Sequence, residues 1–179
     1  MKNNNIVLLV GESGSGKTTI AEALYHKYGL EQIRSYTTRE KRSHNEDCHV
    51  FITDGEFDEL EDIVAYTEYN GHRYCATAQQ VDENEIYVID PAGVDFFFEN
   101  YYGHKTPIVV YIKTPEYDRF QRLVESRSYD EATERIAVDS IEFKEAEHMA
   151  DFVVSNNNDD NLDDVVDEIY QIWRTGHNE

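Results

Sequence analysis

A glycine-rich segment near the amino terminus constrains the fold more than any other feature of the sequence. The apolar run IVLLV, residues 6–10, leads directly into GESGSGKTT, residues 11–19. This segment fits the pattern GxxxxGK(S/T), which forms a phosphate-binding loop where a strand precedes it and a helix follows. The apolar run is typical of a buried strand, and the residues after the loop favour a helix over 17–28. We therefore expect the strand, loop and helix that begin a P-loop NTPase fold.

The expected ligand of this loop is a triphosphate. Glycines permit a backbone path that turns consecutive peptide N–H groups inward, and the following helix adds its positive N-terminal end. Lys17 would contact the phosphates nearest the transferred group, and the Thr18 hydroxyl would bind Mg²⁺. The residues predicted to hold the phosphates are Gly11, Ser13, Gly14, Ser15, Gly16, Lys17, Thr18 and Thr19. The alternative is a strand-to-helix turn in which the lysine occurs by chance.

Composition limits the possible partners. The 179 residues suffice for one domain, and 37 acidic residues against 16 basic ones give a formal net charge of -21. That charge makes binding to a nucleic acid polymer or to an anionic membrane unfavourable, so an anionic ligand requires a local basic cluster. No apolar run approaches the length of a bilayer span, and the segment MKNNN lacks the features of a signal peptide. We expect a cytoplasmic protein that acts on a small molecule; the sequence does not indicate its oligomeric state.

The order of apolar and helical segments predicts an α/β fold. Strands are indicated at residues 6–10, 86–90, 108–112 and 151–155, and helices at 17–28, 93–101, 115–127, 131–148 and 162–173. Such alternation favours a parallel sheet with helices on both faces, and we expect five strands in it. Between residues 32 and 87 the pattern changes to short alternating stretches, which predicts an inserted mixed or antiparallel patch.

A basic cluster follows the loop in this otherwise acidic chain. The segment IRSYTTREKR, residues 33–42, contains Arg34, Arg39, Lys41 and Arg42. Guanidinium groups match phosphate oxygens two at a time, so the cluster favours a second phosphate site.

At this segment the sequence resembles the guanylate kinase family. The family pattern S-x-T-T-R-x-x-R is matched at residues 35–42, and the resemblance continues almost to the last helix. Further matches are the strand at Phe51, the turn from Gly71 to Tyr74, the D-x-x-G at Asp90 to Gly93, the arginine-bearing lid and DFVVSN at residues 151–156. The resemblance implies one domain with a core at 1–33, 84–121 and 136–179, an acceptor-binding insert at 34–83 and a lid at about 122–135.

The resemblance also implies a reaction, in which the γ-phosphoryl group of ATP passes to a nucleoside monophosphate (NMP) with Mg²⁺ as cofactor. Arg39 and Arg42 would hold the acceptor phosphate together with the Tyr74 hydroxyl. Ser35 would lie near the base, and His49 stands where a phosphate-binding tyrosine is expected. No general base is needed, because the acceptor phosphate is already an anionic nucleophile.

The remaining site residues follow from the same resemblance. Asp90 would face the acceptor and the metal, although a helix-capping aspartate is the alternative. Arg127 and Arg135 match lid arginines that neutralise the transferring group, and with Lys17 and Arg39 they form the predicted catalytic set. Arg122 is either a third lid arginine or the partner of a neighbouring glutamate. Asn156 would contact adenine or cap a helix.

Base recognition departs from the family pattern. Ala65 stands where the family has the glutamate that reads guanine, Ala76 replaces a small hydroxyl residue, and Glu68 would lie on the opposite strand face. We therefore expect an NMP kinase whose acceptor need not be GMP or dGMP. Two alternatives remain open. One is a kinase of a phosphorylated sugar, of the ribose bisphosphate type, and the other is a non-catalytic binding module.

Five side chains in the insert raise the question of a zinc site. They are His44, Cys48, His49, His72 and Cys75. Their spacing fits no compact zinc pattern, so we expect them to carry no metal.

Overall fold

Four parallel strands form the central sheet of the protein. The structure, a computed structural model, describes residues 3–41, 44 and 46–176. Its strands are β1 (Asn5–Val10), β2 (Tyr36–Thr37), β3 (Val50–Phe51), β4 (Ile63–Tyr69), β5 (His72–Thr77), β6 (Ile86–Val88), β7 (Thr106–Lys113) and β8 (Phe152–Ser155). The central sheet has the order β6-β1-β7-β8, and every neighbouring pair is parallel. The predicted α/β class is therefore confirmed.

The predicted number of core strands is wrong by one. In place of a fifth strand, the described chain makes a single parallel bridge between Gln32 and Ile86. The Glu31 carbonyl accepts hydrogen bonds from the N–H groups of Glu85 at 2.9 Å and Ile86 at 3.0 Å, and Ile33 N–H donates to the Ile86 carbonyl at 2.9 Å. A full strand does not form here because the chain must leave the edge of the central sheet after Ile33 to begin β2 at Tyr36.

Seven α-helices and one 3₁₀ turn accompany the strands in the described part of the chain. The helices are α1 (Lys17–Tyr28), α2 (Asp54–Asp58), α3 (Ala78–Glu83), α4 (Pro91–Asn100), α5 (Glu116–Ser126), α6 (Tyr129–Glu142) and α7 (Leu162–Thr175). The helix predicted over 131–148 is wrong in its second half, because α6 ends at Glu142 and a 3₁₀ turn follows at Ala146–Met149. The break directs Phe143, Ala146 and Met149 onto the core. None of the described helices is long and apolar enough to cross a membrane.

Strand β1 is buried on both faces, which explains why its sequence is continuously apolar. Ile6, Leu8 and Val10 belong to one core cluster, with side chains of α4 such as Phe97. Val7 and Leu9 belong to the other cluster, together with side chains of α1 and α7. This three-layer packing holds the end of β1, where the glycine-rich loop begins, in a fixed place.

A second sheet follows α1 in the chain. Its order is β3-β2-β5-β4, with β2 and β3 parallel and the other neighbours antiparallel. The sheet is therefore mixed, as the sequence predicts. Strand β4 packs on α4 and so connects this sheet to the central layer.

Candidate functional site

The glycine-rich loop joins β1 to α1 in a conformation that requires glycine at two positions. Gly14 has φ 79° and Gly16 has φ 92°, both in the left-handed region. A Cβ atom at Gly14 would lie 2.7 Å from the carbonyl oxygen of Arg119, and one at Gly16 would lie 2.5 Å from Asn156 Nδ2. Gly16 is also the N-cap of α1. The loop thus places the N-terminus of α1 next to a turn in which two residues, Gly14 and Gly16, carry no side chain.

Lys17 extends back across the loop. Its ammonium group donates to the carbonyl oxygen of Gly11, to that of Glu12 at 3.0 Å and to Ser15 Oγ at 3.3 Å. Burial lowers the pKa of Lys17 to about 8, and the carboxylates of Asp139 and Glu12 oppose that shift. The ammonium is held by neutral oxygen atoms at a helix N-terminus. The phosphates of a nucleotide would supply the negative charge that complements it.

The loop, the second sheet and the lid line one cavity of about 1090 Å³. Most of the predicted site residues lie on its wall, on all three parts of the chain. They are Gly11, Ser13, Lys17, Ser35, His49, Tyr74, Asp90, Arg127 and Arg135. The cavity therefore brings the predicted donor, acceptor and lid residues together.

The wall of the cavity next to the second sheet contains a small polar and aromatic group. Ser35 Oγ lies 2.9 Å from His49 Nδ1. The His49 ring is edge-on to Tyr74, with ring centroids 5.6 Å apart, and edge-on to Phe51 at 6.0 Å. Ser35 and His49 directly precede β2 and β3, and Tyr74 lies on β5, so the short second sheet fixes the geometry of this wall.

Arg39 lies next to this group but does not line the cavity. Its guanidinium is paired with Glu46, with Nη2 to Oε1 at 2.6 Å, and stacks over the Phe51 ring at 5.3 Å. The Glu46 carboxylate raises the pKa of Arg39 above its usual range, and Tyr74 contributes in the same direction. Arg42, the other predicted phosphate ligand of the insert, lies outside the described residues.

Apolar side chains occupy the positions where base recognition was expected. Ala65 of β4 pairs with Ala76 of β5, and both are buried. Ala65 lines the cavity. Residues 65–70 all line the cavity, Glu68 among them. Pairing with β5 is regular from Ala65 to Tyr69, beyond the bulge between Ile63 and Ala65, so alternation places Glu68 on the opposite strand face from Ala65.

Asp90 serves as a helix cap and also faces the cavity. Its Oδ1 accepts the Gly93 N–H at 2.7 Å at the start of α4. Burial raises the pKa of this carboxyl group, while the hydrogen bond from Gly93 opposes the rise. Among the described residues, no three His, Cys, Asp or Glu side chains are placed to hold a metal ion together. The Asp90 carboxylate and the Thr18 hydroxyl nevertheless offer oxygen atoms, the donors that Mg²⁺ prefers.

The lid arginines differ in their surroundings. Arg135 of α6 donates to Ser13 Oγ from Nε at 3.1 Å and from Nη2 at 2.9 Å, and it lies over the Tyr69 ring at 4.8 Å. Arg127, just after α5, lines the cavity. Arg122 instead donates to the carbonyl oxygens of Gly14 at 3.2 Å and Asn156 at 2.9 Å. Arg122 thus binds backbone carbonyl groups of the loop and of Asn156 rather than pairing with a neighbouring glutamate.

Asn156 lies behind the loop as well. Its Nδ2 donates to the Ser15 carbonyl at 2.7 Å, and the residue is 8% exposed. The side-chain amide therefore fixes the loop backbone in this conformation.

Comparison with known proteins decides the family. The family model described as guanylate kinase matches residues 3–175. The chain belongs to the guanylate kinase family. A protein named guanylate kinase from Mycoplasmopsis pulmonis (strain UAB CTIP) is 32% identical over 148 residues, which cover 79% of this chain and 74% of that protein. The resemblance in the sequence is confirmed, and this guanylate kinase family member is an enzyme of the nucleoside monophosphate kinase class.

Solved structures show the shared fold. The guanylate kinase from Anaplasma phagocytophilum superposes with a TM-score of 0.67 at 24% identity, covering 97% of this chain and 87% of that one. An uncharacterized protein from Eubacterium ventriosum ATCC 27560 gives 0.53 at 12% identity, covering 96% and 98%. Both alignments cover nearly the whole of this chain.

Sequence reasoning missed two charged residues of this guanylate kinase family member. Arg119 is 5% exposed and Asp139 is 0% exposed, and both contact the loop region. A signal for Asp139 was present, because it follows buried Ala132 by two helical turns on the inward face of α6. A similar signal was present for Arg119, which precedes buried Leu123 by four residues on the inward face of α5.

Proposed function

We propose that this chain transfers the γ-phosphoryl group of ATP to a nucleoside monophosphate. The observation that carries the proposal is the single cavity lined by Lys17 of the loop, by Ser35, His49 and Tyr74 of the second sheet, and by Arg127 and Arg135 of the lid. A donor phosphate on the loop and an acceptor phosphate on the second sheet would then meet in one space. The substrates are free nucleotides, and the proposed compartment is the cytoplasm.

The loop residues would hold ATP, with Lys17 releasing its backbone carbonyl partners to contact the phosphates. Thr18 and Asp90 would hold Mg²⁺, which when bound offsets negative charge on the phosphates. Arg127 and Arg135 would neutralise the charge that develops on the transferring group. Closure of the lid would exclude water and so limit hydrolysis of ATP.

Acceptor binding would require a change of partner at Arg39. The guanidinium is now paired with Glu46, whose side chain is 15% exposed. A doubly charged phosphate attracts a guanidinium more strongly than one carboxylate does, so an acceptor phosphate could replace Glu46 beside Tyr74. Arg42 is proposed as the second phosphate ligand and His49 as a third contact.

The acceptor is proposed not to be restricted to guanine nucleotides. Ala65 and Ala76 form a buried apolar pair at the cavity wall, so neither residue can accept or donate a hydrogen bond to a base edge. Loss of such a pair of hydrogen bonds removes a few kcal/mol of discrimination, on the order of 100-fold or more. The relative from Mycoplasmopsis pulmonis carries the name guanylate kinase, which keeps GMP among the candidate acceptors.

A substrate panel tests this proposal. ATP and Mg²⁺ are offered with ribo- and deoxynucleoside monophosphates, and ADP formation is followed for each. We expect at least one acceptor other than GMP or dGMP to be phosphorylated with kcat/KM within about tenfold of the best substrate. Exclusive turnover of GMP and dGMP would contradict it.

A second candidate acceptor is a phosphorylated sugar, because the apolar pair at Ala65 and Ala76 favours any acceptor that lacks a base. Ribose 1,5-bisphosphate is therefore included in the panel. Turnover of this compound with no turnover of any nucleotide would select the sugar kinase.

A further inference from the structure

A buried network of charged side chains joins the phosphate-binding loop to α5 and α6. Arg119 Nη2 of α5 lies 3.2 Å from Glu12 Oε1 of the loop, and Arg119 Nη1 lies 3.9 Å from Asp139 Oδ2 of α6. Tyr111 donates its hydroxyl hydrogen to the other Glu12 oxygen at 2.6 Å. The side chains of Arg119 and Asp139 are 6% and 0% exposed. We call Glu12, Arg119 and Asp139 the lid-root network.

The network contacts the loop at consecutive residues. Asp139 Oδ2 accepts the Ser13 N–H at 2.6 Å. At the next residue, the backbone of Arg119 approaches Gly14 so closely that a Cβ there would lie 2.7 Å from the Arg119 carbonyl oxygen. Helix α5 therefore contacts Glu12 and Gly14, and helix α6 contacts Ser13.

Two members of the network, Arg119 and Asp139, lie at the two ends of the proposed lid. Arg119 precedes the lid segment 122–135 and Asp139 follows it by one helical turn. Asp139 Oδ1 is 4.0 Å from Arg135 Nη2, and Arg135 itself donates to Ser13 Oγ. The carboxylate of Asp139 thus contacts the loop backbone with one oxygen while its other oxygen faces the guanidinium that reaches the same loop residue.

The cost of burying these charges favours a role other than stability. Arg119 Nη1 and Asp139 Oδ1 are buried and make no hydrogen bond within the described part of the chain. Two apolar side chains in their place would pack without that cost, and buried ion pairs are often neutral or destabilising beside such replacements. A role in fixing the geometry of the reactive site would account for the burial of these charges.

We propose that Asp139 and Arg119 are positioning residues for phosphoryl transfer. They hold the phosphate-binding loop and Arg135 in a fixed position relative to each other. The inference rests on the proposed function. Neither side chain lines the cavity, so each acts through its contacts with Ser13, Glu12 and Arg135.

The test begins with single variants. Asp139→Asn keeps an oxygen that can accept the Ser13 N–H but removes the charge near Arg135. We expect kcat to fall about 10- to 100-fold with KM for ATP changed less than about threefold, because Arg135 acts mainly on the transition state. Asp139→Ala also loses the loop contact, so KM for ATP should rise as well. Glu168→Gln, an exposed change on α7, is the matched control and should leave both constants unchanged.

A double variant separates positioning from stability. Arg119→Leu with Asp139→Ala replaces the ion pair by apolar side chains, and we expect its melting temperature to stay close to that of the wild type. A positioning role predicts that the low kcat persists in this variant. Recovery of wild-type kcat in the double variant, or unchanged kcat in Asp139→Asn, would overturn the inference.

Hydrogen exchange supplies a readout that does not depend on turnover. In the wild type the Ser13 amide should exchange slowly, and in the double variant peptides covering residues 11–16 should exchange at least about tenfold faster. Unchanged exchange would also overturn the inference. Absence of phosphoryl transfer in the wild type would instead refute the proposed function, so the two failures are distinguishable.

Discussion

At the scale of single residues, the surroundings of Lys17 determine its hydrogen bonds and its pKa. The sequence pattern predicted a lysine beside phosphates, and the structure adds that its ammonium is held by oxygens of the loop itself. Burial lowers the pKa of Lys17 to about 8, so the group loses its proton within an accessible pH range. A bound triphosphate would favour the charged form and raise this pKa again.

This shift predicts how ATP affinity depends on pH. Below about pH 8 the free protein already carries the ammonium, whereas above it binding must take up a proton, so Kd should rise as pH increases from 8 to 9.5. Calorimetry in two buffers of different ionisation enthalpy measures the proton uptake. Lys17→Arg stays charged throughout and should show no uptake. A Kd that is constant across this range in the wild type would contradict the prediction.

Residue roles were predictable where a motif dictates backbone geometry, and less so elsewhere. The left-handed conformation of Gly16 follows from the loop pattern, whereas Gly14 occupies a position that the pattern leaves unspecified. The pairing of Arg39 with Glu46, the supporting position of Arg122 and the hydrogen bond from Ser13 to Asp139 depend on tertiary packing. No local pattern in one sequence specifies such contacts.

At the scale of elements, helices and strands with strong periodicity were found where the sequence placed them. Helix α1 has the predicted bounds, and α7 extends the predicted helix by two residues to Thr175. The fifth core strand was wrong because a short connection allows one bridge only, and the long helix over 131–148 was wrong because packing of Ala146 on the core breaks it. Tertiary packing overrode local propensity in both places.

The start of the lid helix α6 offers a test at this scale. Ser128 accepts the Glu131 N–H at 3.3 Å, and Glu131 accepts the Ser128 N–H at 3.0 Å, which together form a capping box. Ser128→Ala should lower the free energy of unfolding by about 1 kcal/mol, as measured by urea denaturation.

Ser140→Ala is the control for this cap, since Ser140 is exposed in the same helix. Its effect should stay within about 0.5 kcal/mol of zero. Equal effects of the two substitutions would show that the capping box does not stabilise α6.

At the scale of the whole molecule, the architecture explains how one chain could present the two proposed phosphate sites. The central sheet fixes the loop at the end of β1, and the mixed second sheet holds Ser35, His49 and Tyr74 on the opposite wall of the same cavity. Helix α6 contacts both sides through Arg135, which donates to Ser13 and lies over the Tyr69 ring. A chain with a formal net charge of -21 thus concentrates several of its few cations where anionic substrates would meet.

The most direct test of the phosphoryl-transfer account compares the wild type with Lys17→Ala. Both proteins receive ATP, Mg²⁺ and the best acceptor of the nucleotide panel, and formation of ADP and the phosphorylated acceptor is followed by ³¹P NMR. We expect turnover by the wild type and at least about a 100-fold lower kcat for Lys17→Ala, with an unchanged melting temperature, because the substitution also removes a buried charge. Turnover by Lys17→Ala at the wild-type rate would contradict the account.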